Sequence, residues 1–396
     1  MKKQTQAIHL EYERRDAYDS LSVPVYNTLA YEFDNAAVMA EAFTDKIKAP
    51  DYSRVENPTV TNLERRVAAL TDAAHATAFN SGMAAISNTL MALAAQGKNI
   101  VTSKHLFGNT YALLVATLRR FGVKVRLRDL TNIEAVREAI DDDTCCIFLE
   151  ILTNPQLEVA DLKAISEVAH EKNVPLVVDS TVIPFTQFST KSLGVDIEVV
   201  SSSKYVSGGA TSLGGLVIDY GTPYNGDFAK RLYGEMLFNF GAYMTPQVAY
   251  MQTIGLETLD ARYRVQSGNA LELAKKLRSL PQIKYVNYVG LEDNPYHELA
   301  QRQFGKTAGA MICIDLESKE ACFSFLNNLK LIHRATNLFD NRSLAIHPAS
   351  TIFGAFSESM RKSMDVKDTT IRLSVGLEDV DDLFEDIKQA VEGIQK

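Results

Sequence analysis

Lys204 follows three serines and precedes a glycine pair in the stretch VVSSSKYVSGG (199–209). A primary amine at the end of the apolar run DIEVV can attack a carbonyl or move protons once burial lowers its pKa. Three other segments carry matching chemistry. Ser81, Gly82 and Met83 follow ATAF and open a helical pattern, so their backbone N–H groups and the helix dipole suit a phosphate. Glu150 and Asn154 follow the run CCIFL. Asp179 ends VPLVV, where a carboxylate can hold positive charge on a neighbouring group. Ser201 and Ser203 add hydroxyls beside the amine.

The elements that position these residues alternate from about residue 62 onward. Apolar runs at HATAF, NIVTS, VKVRL, CCIFLEI, VPLVVDS and DIEVVS read as strands, with amphipathic helical patterns between them. Continuous apolar strands separated by helices predict a largely parallel sheet covered on both faces. In such a sheet, ligands bind beyond the carboxyl ends of the strands, where the reactive residues fall. After about residue 255 the texture changes. A long helical stretch from LETLDARYRVQSGNALELAKKLRSL into IKYVNY is followed by strands at AMICIDL and TIRLSVG and a last helix at DLFEDIKQAVEGI. Three parts are expected: an arm over 1–60 that contacts a neighbouring subunit, a large domain over 61–255, and a smaller α+β domain over 256–396.

Composition narrows the function. The 396 residues are 46% hydrophobic and 23% charged, the balance of a soluble globular protein. A net charge of −8 argues against a general nucleic-acid or anionic-membrane binder. Four cysteines do not make a disulfide framework, so reduced thiols in a cytoplasmic protein are expected. There is no apolar N-terminal core for a signal peptide, no bilayer-length apolar stretch, and no metal-ligand pattern. No GxGxxG follows a strand, which removes the dinucleotide reading of the alternating pattern.

A cofactor that needs an amine, a carboxylate and a phosphate cradle together is pyridoxal phosphate. The motifs VPVYNTLAYEF, YSRVENPTVTNLERRVAAL, FNSGMAAI, VVDSTVIPF, SSSKY, LAIHPAST and IRLSVGLEDVDDL, in that order, resemble the Cys/Met-metabolism family of pyridoxal-phosphate enzymes over almost the whole chain. The resemblance implies an α/β fold of the aspartate-aminotransferase type (fold type I). It implies that Lys204 carries the cofactor as a Schiff base and shuttles protons, and that Asp179 pairs with the ring nitrogen. Gly82, Met83, Thr181, Ser201 and Ser203 would hold the cofactor, with Phe107 stacked on its ring and Asn154 beside the ring hydroxyl. Tyr52 and Arg54 would reach the phosphate of a neighbouring subunit, which implies at least a dimer and, by resemblance, a homotetramer. Arg372 would grip the substrate α-carboxylate, a task suited to a bidentate guanidinium, with Ser343 and Asn154 also at the substrate.

Within the family, TSLGG and IHPAST are most similar to the O-acetylhomoserine sulfhydrylases, which make homocysteine from O-acetylhomoserine and sulfide. Several positions depart from the family pattern. Phe107 replaces the stacking tyrosine, Val200 and Gly209 replace histidines, and Phe339 stands at a glycine position. Ile352 and Phe353 replace polar side chains. A phenylalanine can stack but cannot donate a proton to a leaving group, which favours an O-acyl substrate over γ-elimination from methionine. The competing expectations are a γ-lyase or cystathionine-processing enzyme of the same family, and a non-catalytic pyridoxal-phosphate binder.

Overall fold

The computed structural model describes residues 1–10, 16–44 and 46–394. Seven strands form the larger sheet: β1 (His75–Phe79), β2 (Asn99–Ser103), β3 (Lys124–Arg128), β4 (Thr144–Glu150), β5 (Leu176–Asp179), β6 (Ile197–Val200) and β7 (Gly215–Asp219). Their spatial order is β1-β7-β6-β5-β4-β2-β3. The run from β3 to β6 is parallel, as expected from the alternation, while β7 is antiparallel to both β6 and β1. Successive residues of each central strand feed opposite cores. Ile147 and Leu149 pack on one face of β4, and Cys146 and Phe148 on the other. Such strands must be apolar throughout, because helices cover both faces.

Parallel register aligns the strand ends that matter. Glu150 of β4 lies opposite Asp179 of β5, and Asp179 lies opposite Val199 of β6. The chain turn after β6 therefore emerges beside two carboxylates. Helix Gly82–Leu93 starts on the same edge, with the Ser81 hydroxyl accepting from the Ala84 N–H at 3.1 Å. Gly82 is required by contact, since a Cβ there would lie 2.6 Å from Ser201 Cβ. Gly255 acts likewise in helix Pro246–Glu257. A Cβ on it would come within 2.1 Å of the Val206 carbonyl, so its absence lets the helix press on the turn that carries Lys204.

The second sheet comprises β8 (Tyr285–Asn287), β9 (Met311–Asp315), β10 (Leu344–Ile346) and β11 (Thr370–Ser374), in the antiparallel order β10-β11-β9-β8. Helix Leu259–Leu277 precedes it. The stretch IKYVNY, expected to extend that helix, instead supplies β8. Pro281 cannot continue the helical hydrogen bonding and ends the run before it.

Helix Lys3–His9 packs against helices Pro58–Thr71 and Pro246–Glu257 of its own chain. Lys3 Nζ donates to the Phe185 and Phe188 carbonyls at 2.9 and 3.1 Å, and Arg66 Nη1 donates to the Ala7 carbonyl at 2.7 Å. Residues 11–15 and 45 of the expected arm lie outside the described residues. Between them, Tyr18, Leu21, Leu29, Met39 and Phe43 present exposed apolar surface. Among the described residues no helix is long and apolar enough to cross a membrane, and the four cysteines are free thiols.

Candidate active site

A cavity of about 320 Å³ opens at the carboxyl edge of the large sheet and is closed by Thr336, Asn337, Leu338 and, on β11, Arg372. Lys204, the third residue of the turn after Ser201, reaches into it. Burial, with the Arg372 guanidinium adding to it, lowers the lysine pKa to about 8 against the opposing charge of Asp179. The amine is thus closer to neutrality than a surface lysine, as a nucleophile and proton carrier needs.

Arg372 is the buried cation of the site. It lies on the central strand β11, and its Nη1 and Nη2 donate to Asn154 Oδ1 and the Asn337 carbonyl, both at 3.1 Å. Its Nε has no partner, and no carboxylate accepts from it among the described residues. Burial lowers its pKa to about 10. A buried guanidinium held only by neutral oxygens is set up to receive an anion, and a carboxylate matches its fork geometry.

The opposite wall holds two carboxyl groups. Burial raises the Asp179 pKa, while the Thr181 N–H, donating at 2.9 Å, and Lys204 draw it back down. Burial and the Asp179 charge push Glu150 up to about 8, even though its Oε1 accepts from the Phe107 N–H at 2.5 Å. Two carboxylates at adjacent strand ends cannot both ionise cheaply in a dry cavity unless a cation joins them. A protonated ring nitrogen would meet that need.

At the third side, the N–H groups of Gly82 and Met83 begin a helix and have no intrahelical acceptor. The Ser201 hydroxyl lies beside Gly82. The Ser203 hydroxyl is already committed, donating to the Gly214 carbonyl at 3.1 Å and accepting from the Gly214 N–H at 2.9 Å. Thr181 Oγ1 accepts from the Ser201 N–H at 2.8 Å and so fixes the serine turn. These groups fit a pyridoxal phosphate: donors for the phosphate, a carboxylate for the ring nitrogen, and an amine for the aldehyde.

The structure brings together Gly82, Met83, Phe107, Asn154, Asp179, Thr181, Ser201, Ser203, Lys204 and Arg372 as expected, with Ile352 on the same wall as Phe107. Ser343 is a correction. It lies outside the cavity, where its hydroxyl donates to Glu378 Oε2 at 2.9 Å and accepts from the Gly376 N–H at 2.8 Å, so it braces a loop. Tyr52 and Arg54 do not line the cavity of their own chain. Arg54 donates to the Phe238 carbonyl at 2.5 Å and stacks over Tyr52. Val200 and Phe353 are core side chains. Gly209, at φ 131°, abuts Asn341. Phe339 is fully buried at φ 59°, held there by stacking on Tyr205 at 4.0 Å between ring centres.

One contributor escaped sequence reasoning: Asn337 Oδ1 accepts from Lys204 Nζ at 2.7 Å. Glu150, marked in the sequence at the end of CCIFL, holds the Phe107 backbone. Asn337 belongs to the NLF stretch, in which only Phe339 had drawn notice as a departure.

Residues 4–392 match the family model described as Cys/Met metabolism PLP-dependent enzyme. The chain belongs to that family. It is 38% identical to an L-methionine gamma-lyase of Fusobacterium nucleatum subsp. polymorphum, over 98% of each chain. It is 32% identical to an O-acetyl-L-homoserine sulfhydrylase of Corynebacterium glutamicum, over 97% of this chain and 95% of that one. A solved structure from Campylobacter jejuni, described as a proposed O-acetylhomoserine (thiol)-lyase and bearing N'-pyridoxyl-lysine-5'-monophosphate, superposes with a TM-score of 0.94. It shares 35% identity over 99% of this chain and 100% of its own. The fold is thus that of the fold type I pyridoxal-phosphate enzymes, and this family member uses pyridoxal 5'-phosphate. When bound, the cofactor supplies an electron sink for chemistry at an amino acid.

Truncating a buried, hydrogen-bonded charge partner typically costs about 2–5 kcal/mol. Arg372→Ala is therefore expected to raise KM for the amino-acid substrate roughly 30-fold to several thousand-fold. Because Arg372 depresses the Lys204 pKa, the same variant should also bind cofactor covalently only at higher pH than the parent. Substrate kinetics and the pH dependence of cofactor absorbance after reconstitution check both. An unaltered KM would remove Arg372 from the carboxylate site.

Proposed function

We propose that the enzyme catalyses γ-replacement on O-acetyl-L-homoserine, with sulfide or another sulfur donor displacing acetate to give L-homocysteine. The observation that carries this reading is Phe107. It lines the cavity where the family pattern has a tyrosine, and among the described residues no tyrosine lines that cavity. Tyr111, one helical turn on, packs edge-on to Phe356 instead. A departing carboxylate has a conjugate-acid pKa of about 4 and leaves without help, whereas a thiolate, at about 8.5 or above, benefits from a proton donor. In this reading Arg372 and Asn154 hold the α-carboxylate side of the substrate. Lys204 removes and returns protons, and Asp179 keeps positive charge on the cofactor ring.

The second reading is γ-elimination from methionine, favoured by the 38% identity to an L-methionine gamma-lyase. The Phe107→Tyr variant separates the two. A placed acid contributes roughly 10²–10⁴-fold to proton-dependent departure. The variant should therefore gain methionine elimination relative to O-acetylhomoserine replacement, measured as the ratio of the two kcat/KM values with products identified. A parent enzyme that releases methanethiol from methionine efficiently, with the ratio unmoved in the variant, would establish the elimination reading.

The reading includes a homo-oligomer, a dimer of dimers, in which Tyr52 and Arg54 complete the phosphate site of a neighbouring subunit in a cytoplasmic enzyme. Support comes from their absence from the lining of their own chain's cavity and from the exposed apolar surface of Tyr52 and the neighbouring Leu29. Mixing Arg54→Ala with Lys204→Ala protein under subunit exchange should restore activity at one intact site per pair. No recovery would mean that the two residues serve only their own chain.

A further inference from the structure

His105 lies two residues before Phe107 and is held between two carboxylates. Its Nδ1 is 3.1 Å from Glu158 Oε2 and its Nε2 is 2.7 Å from Asp365 Oδ2. A neutral imidazole has a single N–H, so in that form one ring nitrogen would turn a lone pair toward a carboxylate. Only the imidazolium satisfies both contacts. The two carboxylates come from different parts of the chain: Glu158 from the loop after β4, Asp365 from the excursion 348–366 that precedes β11.

That excursion forms part of the cavity. It packs Phe353 and Met364, both fully buried, into the core beside Leu106 and Leu114. It also brings Ile352 to the cavity wall that Phe107 shares. The fit at this joint is close, since a Cβ on Gly108 would lie 2.8 Å from the Ile352 carbonyl. Besides the His105 contact, Lys104 Nζ pairs with Asp365 Oδ2 at 2.6 Å, and Gln156 Nε2 donates to the Met364 carbonyl at 2.7 Å.

We propose that His105, as the imidazolium, is a positioning residue for the Phe107–Ile352 wall, latching the excursion 348–366 onto the segment that carries Phe107. The proposal goes beyond the reaction assigned above and does not depend on the substrate.

Burial opposes charge on His105, but the hydrogen bonds and charges of Glu158 and then Asp365 outweigh it and raise the pKa above the ordinary 6.5. A raised folded-state pKa means the latch is complete below about pH 6.5 and is lost as pH rises through the higher value. Other charged groups face the same region. Lys104 sits on Asp365, Tyr296 faces Glu158, and Lys367 pairs with Asp315 across the adjoining cavity at 2.8 Å. Glu150, on the Phe107 N–H, is pushed up to about 8 and also titrates in this range, so substitutions must isolate the histidine.

The test is hydrogen–deuterium exchange of the cofactor-loaded enzyme, following peptides within 352–366 at about pH 6 and about pH 9 after correction for intrinsic rates. In the parent protein, protection should fall roughly tenfold or more between the two conditions. In His105→Gln it should be low at both. Asp365→Asn should behave the same way, and it guards against misfolding because the Asp365 side chain is 55% exposed. Substrate KM in both variants should rise more than kcat falls, since the wall is displaced while Lys204 is not. Parent-like, pH-dependent protection in either folded variant, or pH-independent protection in the parent, would overturn the latch.

Discussion

Everything in the site depends on charged groups kept from water: a lysine and an arginine on one side, two carboxyl groups on the other. Moving an ion into a protein interior costs several kcal/mol even after relaxation, and removal of one partner leaves the rest exposed to that cost. Among the described residues, Arg372 donates only to an amide and a carbonyl oxygen, and its Nε has no partner. Glu150 and Asp179 lie side by side across the strand register. An anion for Arg372 and a cation beside Asp179 would relieve both. A cofactor with a protonated ring nitrogen, together with an amino acid's carboxylate, has that charge pattern. The electrostatics therefore point to the same ligand pair as family membership does.

Holding such groups apart requires a stiff frame, and close backbone packing provides it. Gly82 presses on Ser201 at the start of the lysine turn, and the helix bearing Gly255 presses on Val206–Gly208 just after Lys204. From the segment 337–339, the turn is met at two successive positions. Asn337 accepts from Lys204, while Phe339 stacks on Tyr205. A bulky residue at φ 59° is uncommon and costs of order 1–3 kcal/mol, so the buried stack must outweigh it. Departures from the family pattern at Phe107 and Ile352 meet on one wall, with Phe353 directly behind. They act as one apolar replacement more than as scattered drift.

Much of this was legible in the sequence because parallel strands buried on both faces announce themselves as unbroken apolar runs. Their carboxyl ends then mark where ligands bind. Lys204, Asp179 and the 81–83 helix start were found that way. Strand β7 was not noticed, since its apolar run is only Leu216–Ile218, between Gly215 and Asp219. The three residues of β8 merged with the preceding helical pattern although Pro281 stands between them. Asn337 and Ser343 lie in loops, where periodicity says nothing about direction. Ser343 turned out to face Glu378, 35 positions along the chain. The docking of helix Lys3–His9 depends on carbonyls at 185 and 188, a long-range match with no local signal.

The central claim is that the electrostatics of this cavity single out one amine. Borohydride reduction of the cofactor-loaded enzyme, followed by peptide mapping with mass spectrometry, tests it directly. The account predicts a pyridoxyl-phosphate adduct on Lys204 in the peptide containing SSSKY, with the other lysines unmodified. An adduct on a different lysine, or none on an enzyme that turns over, would contradict it.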